Sequence, residues 1–434
     1  MFPISQEILE KTASRLGILD LSSATIRQIV ALSEALEEEA EEGFIHLELG
    51  NPGLPASRIG IDAEIDALER GVANTYPPIN GIPVLKKAGS DFVKAFMNLD
   101  VPARAIVPTV GSMQASFTLQ LLLRQRLPGK DSILFFNPGF PAQRHQAKVL
   151  GIGIEQFDIY NYRGKSLEAK LEEMLSKGNI SAMLFSNPNN PSWINLTEEE
   201  LEIVGRMASK YDAIVIEDHA YMGMDFRRDF SHPGEEPFIP SVGKYTDNYI
   251  LLISGSKIFS YAGERIAVVA MSRKVYDREY EFFREFYEMP GFGDAYIFGV
   301  LYTASSGASH GAQFALAAMM QAAVEGRLNF VEETSEYGRR AEKLKKVFTD
   351  NGFHIVYDKD GNRPISDGFF FTVGYDGVDG KTLQSELMRH GVSAITLSST
   401  GSEQDGVRVC VSRMADEEDF ALLDQRLKVF KDEH

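Results

Sequence analysis

The sequence predicts an α/β fold: a large domain with a mostly parallel central sheet flanked by helices, joined to a smaller α/β domain. Three observations carry this. Short apolar runs between residues 104 and 271 alternate with amphipathic helical patterns, the order that sets parallel strands side by side with helices on both faces. Near Leu328 that alternation gives way to a long helix and then to strands and helices in a different order. At 434 residues the chain also exceeds one ordinary hydrophobic core, so two packed units are expected.

Residues 1–60 close on the Gly- and Pro-rich LELGNPGLP and are expected to form an arm lying against the smaller domain or a partner subunit. Residues 61–327 make the larger domain. Its strand candidates are RAIVPTV, SILFFN, SAMLFSN, DAIVIED, YILLISGS and RIAVVAM. Runs this apolar, without alternation, are those of strands buried on both faces. Between them QASFTLQLLLRQ and TEEELEIVGRMASKY space their apolar residues as helices do. Residues 328–434 make the smaller domain. There LNFVEETSEYGRRAEKLKKVF sets Phe330, Tyr337, Ala341, Leu344 and Phe348 at helical spacing. FHIVYD, GFFFTVGY and VRVCVS follow as strands, KTLQSELMRHG as a helix, and DEEDFALLDQRLKVF as a closing helix with Asp416 as its N-cap.

Composition narrows the function. Lys and Arg number 44 against 62 Asp and Glu, a net charge of −18, which opposes nucleic acid and anionic membrane surfaces as partners. Cys410 is the single cysteine; it excludes internal disulfides and fits a reducing cytosol. The start, MFPISQEILEKTASRLGILD, has no basic segment followed by an apolar one, and no long apolar stretch occurs. A cytoplasmic protein is expected. The eight histidines show no metal-binding spacing, so no metal is expected.

Ligands of such sheets bind at the carboxyl ends of the strands, and here those ends carry a distinctive set of residues. After IVPTV, residues Gly111, Ser112 and Met113 open a helix, placing backbone N–H groups and a hydroxyl where a phosphate is well held. After SILFF, the NPGFP turn presents the ring of Phe140; after AMLFS, NPNNPSW presents Asn190. DAIVIED leads to HAY, with Asp218 and Tyr221, and ISGSK offers Ser254, Ser256 and Lys257, with Arg265 eight residues on. A lysine at a strand end is open to desolvation, which lowers its pKa and frees the amine as a nucleophile or imine former. Pyridoxal 5′-phosphate would engage every one of these groups: its aldehyde the lysine, its ring nitrogen Asp218, its phenolic oxygen Asn190 and Tyr221, its phosphate Arg265 and the hydroxyls, its ring face Phe140.

These motifs resemble the class I/II pyridoxal-phosphate aminotransferases of fold type I, over nearly the full chain. SGSKIFSYAGERI is similar to the family's S-x-S-K followed by G-x-R, NPNNPSW to N-P-x-N-P-[ST]-G, and DHAY to its D-x-x-Y. The resemblance implies catalytic roles for Lys257, Asp218 and Tyr221. Through GVRVCVS it implies that Arg408 grips the substrate α-carboxylate, and through LELGNPG that Gly50 lies over the substrate beside Asn190. YPPINGIPVLKKA resembles the loop that reaches the neighbouring subunit's cofactor phosphate, which lands on Tyr76 and implies a homodimer with shared active sites. The implied activity moves an amino group between an L-amino acid and a 2-oxo acid.

The sequence also departs from the pattern. Trp193, the only tryptophan, stands where the family's motif ends in glycine and is expected to reshape the turn; Glu48 stands where small residues are common. Leu301 stands near the place where aspartate-specific relatives carry an arginine, so this segment does not support a dicarboxylic substrate. The aromatic stretch EFYEMPGFGDAYIFG fits either an apolar side-chain pocket or a subunit interface. Several readings remain beside transamination. A Cβ–S lyase or related eliminating enzyme would use the same residues. A DNA-acting regulator would need a basic winged-helix segment, against the acidic balance. A silent binding protein is disfavoured by the complete set of Lys257, Asp218, Asn190, Tyr221, Arg265 and Arg408. No G-x-G-x-x-G follows the first strand, which disfavours a nicotinamide enzyme. His219 is expected to neighbour Asp218.

Overall fold

In the computed structural model, which describes residues 2–434, the six apolar runs become strands of one seven-stranded sheet. In chain order the strands are β1 (Ile106–Val110), β2 (Ser132–Asn137), β3 (Gly153–Asp158), β4 (Ile180–Ser186), β5 (Ile214–Asp218), β6 (Tyr249–Ser254) and β7 (Ile266–Met271). Across the sheet they lie in the order β1-β7-β6-β5-β4-β2-β3. Only β7 runs against its neighbours, pairing antiparallel with both β1 and β6; the other contacts are parallel. Every residue of β2, β4, β5, β6 and β7 is buried, as sheets covered by helices on both faces require. The seventh strand, β3, was not among the expected ones. It is the edge strand, and its first four residues alternate between half-buried and exposed, so it lacks the continuous apolar signal.

A second sheet follows, built from β8 (Phe353–Ile355), β9 (Phe370–Tyr375), β10 (Ile395–Thr396) and β11 (Val407–Cys410) in the order β10-β11-β9-β8. All its pairings are antiparallel. The long helix expected from Leu328 is two helices, Phe330–Thr334 and Glu336–Asp350, and the first begins behind Asn329, whose side chain accepts from the Glu332 N–H at 3.1 Å. The closing helix Glu417–Glu433 starts behind Asp416 as expected.

The chain's first residues pack on this second sheet. Helices α1 (Gln6–Arg15) and α2 (Ile26–Ala40) bury Leu9, Ile29, Leu32 and Leu36 with Met388 and Ile395 in a small separate core. The two-residue strand Ile45–His46 pairs in parallel with Val392–Ser393. This anchors the segment that runs on through Gly50 into the mouth of the site.

Candidate active site

The parallel strands β4, β5 and β6 end at one edge of the large sheet, on Ser186, Asp218 and Ser254. Beyond Ser254 the chain makes a single helical turn, Gly255–Ile258, in which the Ser256 N–H donates to the Ser254 hydroxyl at 3.2 Å and Lys257 is carried over the sheet edge. Strand β1 passes straight into the helix Gly111–Arg124, so that helix begins at the same edge. A cavity of about 740 Å³ lies there, lined by Ser112, Met113, Phe140, Asn190, Asp218, Tyr221, Ser254, Ser256, Lys257 and Arg265. A contiguous hollow of about 840 Å³ adds Gly50, Phe370 and Arg408. Lys257 and Asp218 thus come from the large sheet, and Arg408 from β11 of the small one.

The charges are arranged along the cavity. Asp218 is buried; it accepts from the Ala220 N–H at 3.1 Å and from Gln143 Nε2 at 2.8 Å. Burial pushes its carboxyl up to about 6, because the charged form loses water it does not fully replace. Lys257 donates to the Gly50 carbonyl. Burial brings its amine down to about 8, helped by the positive charges of Arg265 and Arg408. Burial likewise pushes the Tyr221 phenol well up, so it stays a neutral donor. Asn190 Nδ2 donates to the Tyr221 hydroxyl at 3.4 Å, and Arg408 donates to Asn190 Oδ1 at 3.3 Å and to the Glu48 carbonyl. The Arg408 guanidinium lies 4.7 Å from the centre of the Phe370 ring, a cation–π contact that supports it in a buried site.

At the other end Arg265 adopts φ +49°, a left-handed backbone that non-glycine residues hold mainly where function demands it. Its guanidinium packs on Gly111, itself at φ +69°; a Cβ there would stand 2.5 Å from the Arg265 Nη2. The glycine therefore permits the close approach, and Gly111 shapes the cavity from behind without lining it. This donor set fits pyridoxal 5′-phosphate: hydroxyls and a guanidinium for a phosphate, a buried acid for a ring nitrogen, and an amine between them. No carboxylate among the described residues pairs with Arg265 or Lys257.

Tyr76, expected to reach the neighbouring subunit's site, lies outside the cavity of its own chain and is 92% exposed. One expectation falls differently. His219 does not face Asp218; it stands 3.2 Å from Glu217 inside the sheet, as the alternation of side chains along β5 dictates. The aromatic stretch 285–299 contributes nothing to the cavity, and Leu301 is buried away from it. The turn at Trp193 keeps its backbone bond to the Asn189 carbonyl at 2.9 Å and takes the indole at φ +63° into full burial against Tyr221 and Phe370, with ring centres 5.5 and 6.3 Å away. Glu48 is buried and bonded to His46 Nδ1 at 2.8 Å. Sequence reasoning missed Gln143, Phe370 and Arg27. Gln143 had one signal: it sits three residues beyond Phe140, on the first turn of a helix that opens at the sheet edge.

Comparison with known proteins agrees with this geometry. Residues 43–425 match the family Aminotransferase class I and II. Nicotianamine aminotransferase 1 of Oryza sativa subsp. japonica is 28% identical over 213 residues, 48% of this chain and 41% of that protein. S-alkyl-thiohydroximate lyase SUR1 of Arabidopsis thaliana is 27% identical over 262 residues, 58% of this chain and 54% of that protein. The chain thus spans about half the length of these curated relatives. Among solved structures, an alanine aminotransferase from Pyrococcus furiosus superposes with a TM-score of 0.74 at 19% identity, covering 96% of this chain and 98% of that one; it shares the fold.

Proposed function

Since this chain belongs to the class I and II aminotransferases, we propose that it is a pyridoxal 5′-phosphate-dependent aminotransferase that exchanges an amino group between an L-amino acid and a 2-oxo acid. The observation that carries the reading is Lys257, an amine set at a sheet edge without an acidic partner and brought down to about 8 by burial and two neighbouring guanidiniums. Lys257 would hold the cofactor, with Asp218 at its ring nitrogen, Tyr221 and Asn190 at its phenolic oxygen, and Arg265 with Ser112, Ser254 and Ser256 at its phosphate. When bound, the cofactor supplies a protonated ring that accepts the electron pair released at the substrate's α-carbon. Arg408 and Asn190 grip the α-carboxylate, fixing which α-carbon bond faces Lys257. The Lys257 amine, poised near neutral pH, would take the proton from the substrate's α-carbon and hold it beside the site. Asp218 keeps the ring nitrogen protonated.

Tyr76, exposed in its own chain, supports a homodimer in which each subunit lends this residue to its partner's phosphate site. The single, buried Cys410 supports a reducing cytoplasm, and the separate sheets support a domain division near residue 327. Among the described residues no helix is long and apolar enough to cross a membrane. Borohydride reduction of the loaded protein should fix the cofactor on Lys257, and Lys257→Ala should lose both the label and turnover. Mixing Lys257→Ala subunits with Tyr76→Ala subunits should then restore activity, because a hybrid dimer regains one intact site. Full turnover in Lys257→Ala would refute the enzyme assignment; no recovery on mixing would refute the shared site. The lyase relative favours a second reading, elimination, which would release ammonia without any oxo-acid acceptor.

A further inference from the structure

We propose that Glu386, His390, Glu433 and His434 form a site for a divalent transition metal, matched best by Zn²⁺, that clips the closing helix to the helix Gly380–Arg389. The inference stands apart from the aminotransferase reading, because none of the four residues lines either hollow of the candidate active site. Ligand atoms of Glu386, His390 and Glu433 all lie within 4.8 Å of one another. Glu386 and His390 stand one turn apart at the end of one helix, and Glu433 ends the other, so residues distant in the chain converge here.

The His390 ring is what points to a cation. It is 1% exposed, and its Nδ1 lies 2.7 Å from the Glu386 carbonyl. A carbonyl accepts only from N–H, so the proton sits on Nδ1 and Nε2 of the neutral ring carries a lone pair. That buried Nε2 makes no hydrogen bond, although Glu433 Oε2 stands 3.3 Å away. A lone pair and a carboxylate oxygen repel at this separation unless a positive charge lies between them. Two ligands about 2.0–2.1 Å from a tetrahedral Zn²⁺ stand roughly 3.4 Å apart, so the spacing suits an ion. His434 repeats the arrangement: its Nδ1 lies 3.0 Å from the Phe430 carbonyl and its Nε2 4.0 Å from Glu386 Oε2. A carbonyl on the far ring nitrogen is how metal-binding imidazoles are commonly oriented. Both rings are braced on the buried Phe430, with centres 5.5 and 4.3 Å from its own. Arg426 Nη1 donates to the Gly391 carbonyl at 2.6 Å and holds the closing helix against the residue after His390. Arg389 donates to Glu386 Oε2 at 2.6 Å; Oε1 accepts nothing among the described residues and is left for the ion. Imidazole ligands set the site apart from those of Mg²⁺ and Ca²⁺, which take oxygen.

The test titrates Zn²⁺ alone into the untagged full-length protein after EDTA treatment and dialysis, by calorimetry and by melting temperature. One equivalent should bind and raise the melting temperature, and Mg²⁺ at the same concentration should do neither. Glu433→Gln should weaken Zn²⁺ by at least the about tenfold that loss of an outer-shell partner costs, and His390→Gln should abolish the site. His390 is buried, so if His390→Gln does not fold, Glu433→Gln, altering a side chain that is 41% exposed, decides alone. His354→Gln, altering an exposed histidine elsewhere, should leave binding unchanged. Absence of Zn²⁺ binding, the result if a proton on Nε2 joins His390 to Glu433, overturns the proposal. So does binding that Glu433→Gln leaves intact, which would place the ion elsewhere in the molecule.

Discussion

Trp193 and Gly368 are interlocked. A Cβ on Gly368 would stand 2.1 Å from the indole carbon Cε2 of Trp193, so the tryptophan is accommodated only because its neighbour has no side chain. The indole in turn braces Tyr221 and Phe370, the rings that carry the phenol of the site and the platform under Arg408. Gly368→Ala should therefore cost about 1–3 kcal/mol by overpacking. It should also shift the emission of Trp193, the chain's only tryptophan, as the indole is displaced. In a double-mutant cycle by urea denaturation, Trp193→Phe should recover part of that cost; strictly additive losses would contradict the interlock. Nothing in the sequence marks Gly368, because its role depends on an approach between segments 175 residues apart. Lys257, Asp218 and Asn190 were legible because each follows an apolar run that reads as a buried strand, and Arg265 because it stands eight residues beyond Lys257 in the same motif. Gln143 and Arg27 were not: both sit on helices whose orientation toward the cavity is set by packing.

At the scale of elements, strands covered on both faces announced themselves and the edge strand β3 did not. Half of its surface faces water, so its alternating pattern is weak beside the solid runs of β4 or β6. The helix following the Asn190 turn was legible from its apolar spacing, and the structure starts it at Glu198. Thr197 caps it: its Oγ1 accepts from the Glu200 N–H at 3.2 Å, and Glu200 Oε2 accepts from the Thr197 N–H at 2.9 Å. The same carboxylate also takes Arg163 at 2.7 and 2.8 Å, which ties this helix to the loop at residue 163. Thr197→Ala should lower stability by about 1 kcal/mol, read as a shifted urea midpoint with an unchanged slope. An unaltered midpoint would mean that Glu200 and Arg163 alone hold the helix start. The split at Ser335 escaped sequence reasoning because apolar spacing continues across it.

For the molecule as a whole, the site is a region that the empty protein holds at a cost. Asp218 and Lys257 are both charged near pH 7 although burial opposes each charge, and the cofactor is the partner that would relieve both. The sign follows from proton linkage. Asp218 titrates at about 6 in the folded protein against an ordinary 3.8, so the folded state binds its proton more tightly. Its contribution is fully present below pH 4 and is lost as pH rises through 6, a change of about 3 kcal/mol. Lys257 acts in the opposite sense: its amine is held down to about 8, so stability returns as pH climbs from 8 toward the ordinary lysine range. Other groups superimpose their own dependence, so the measurement is a difference. The stability of the empty protein minus that of Asp218→Asn, from urea denaturation, should fall between pH 4 and pH 7 and then level off. A difference that stays flat, or rises, across that interval would mean that Asp218 is already paired or hydrated in the empty protein. Its burial would then not be what prepares the site for a cationic ring.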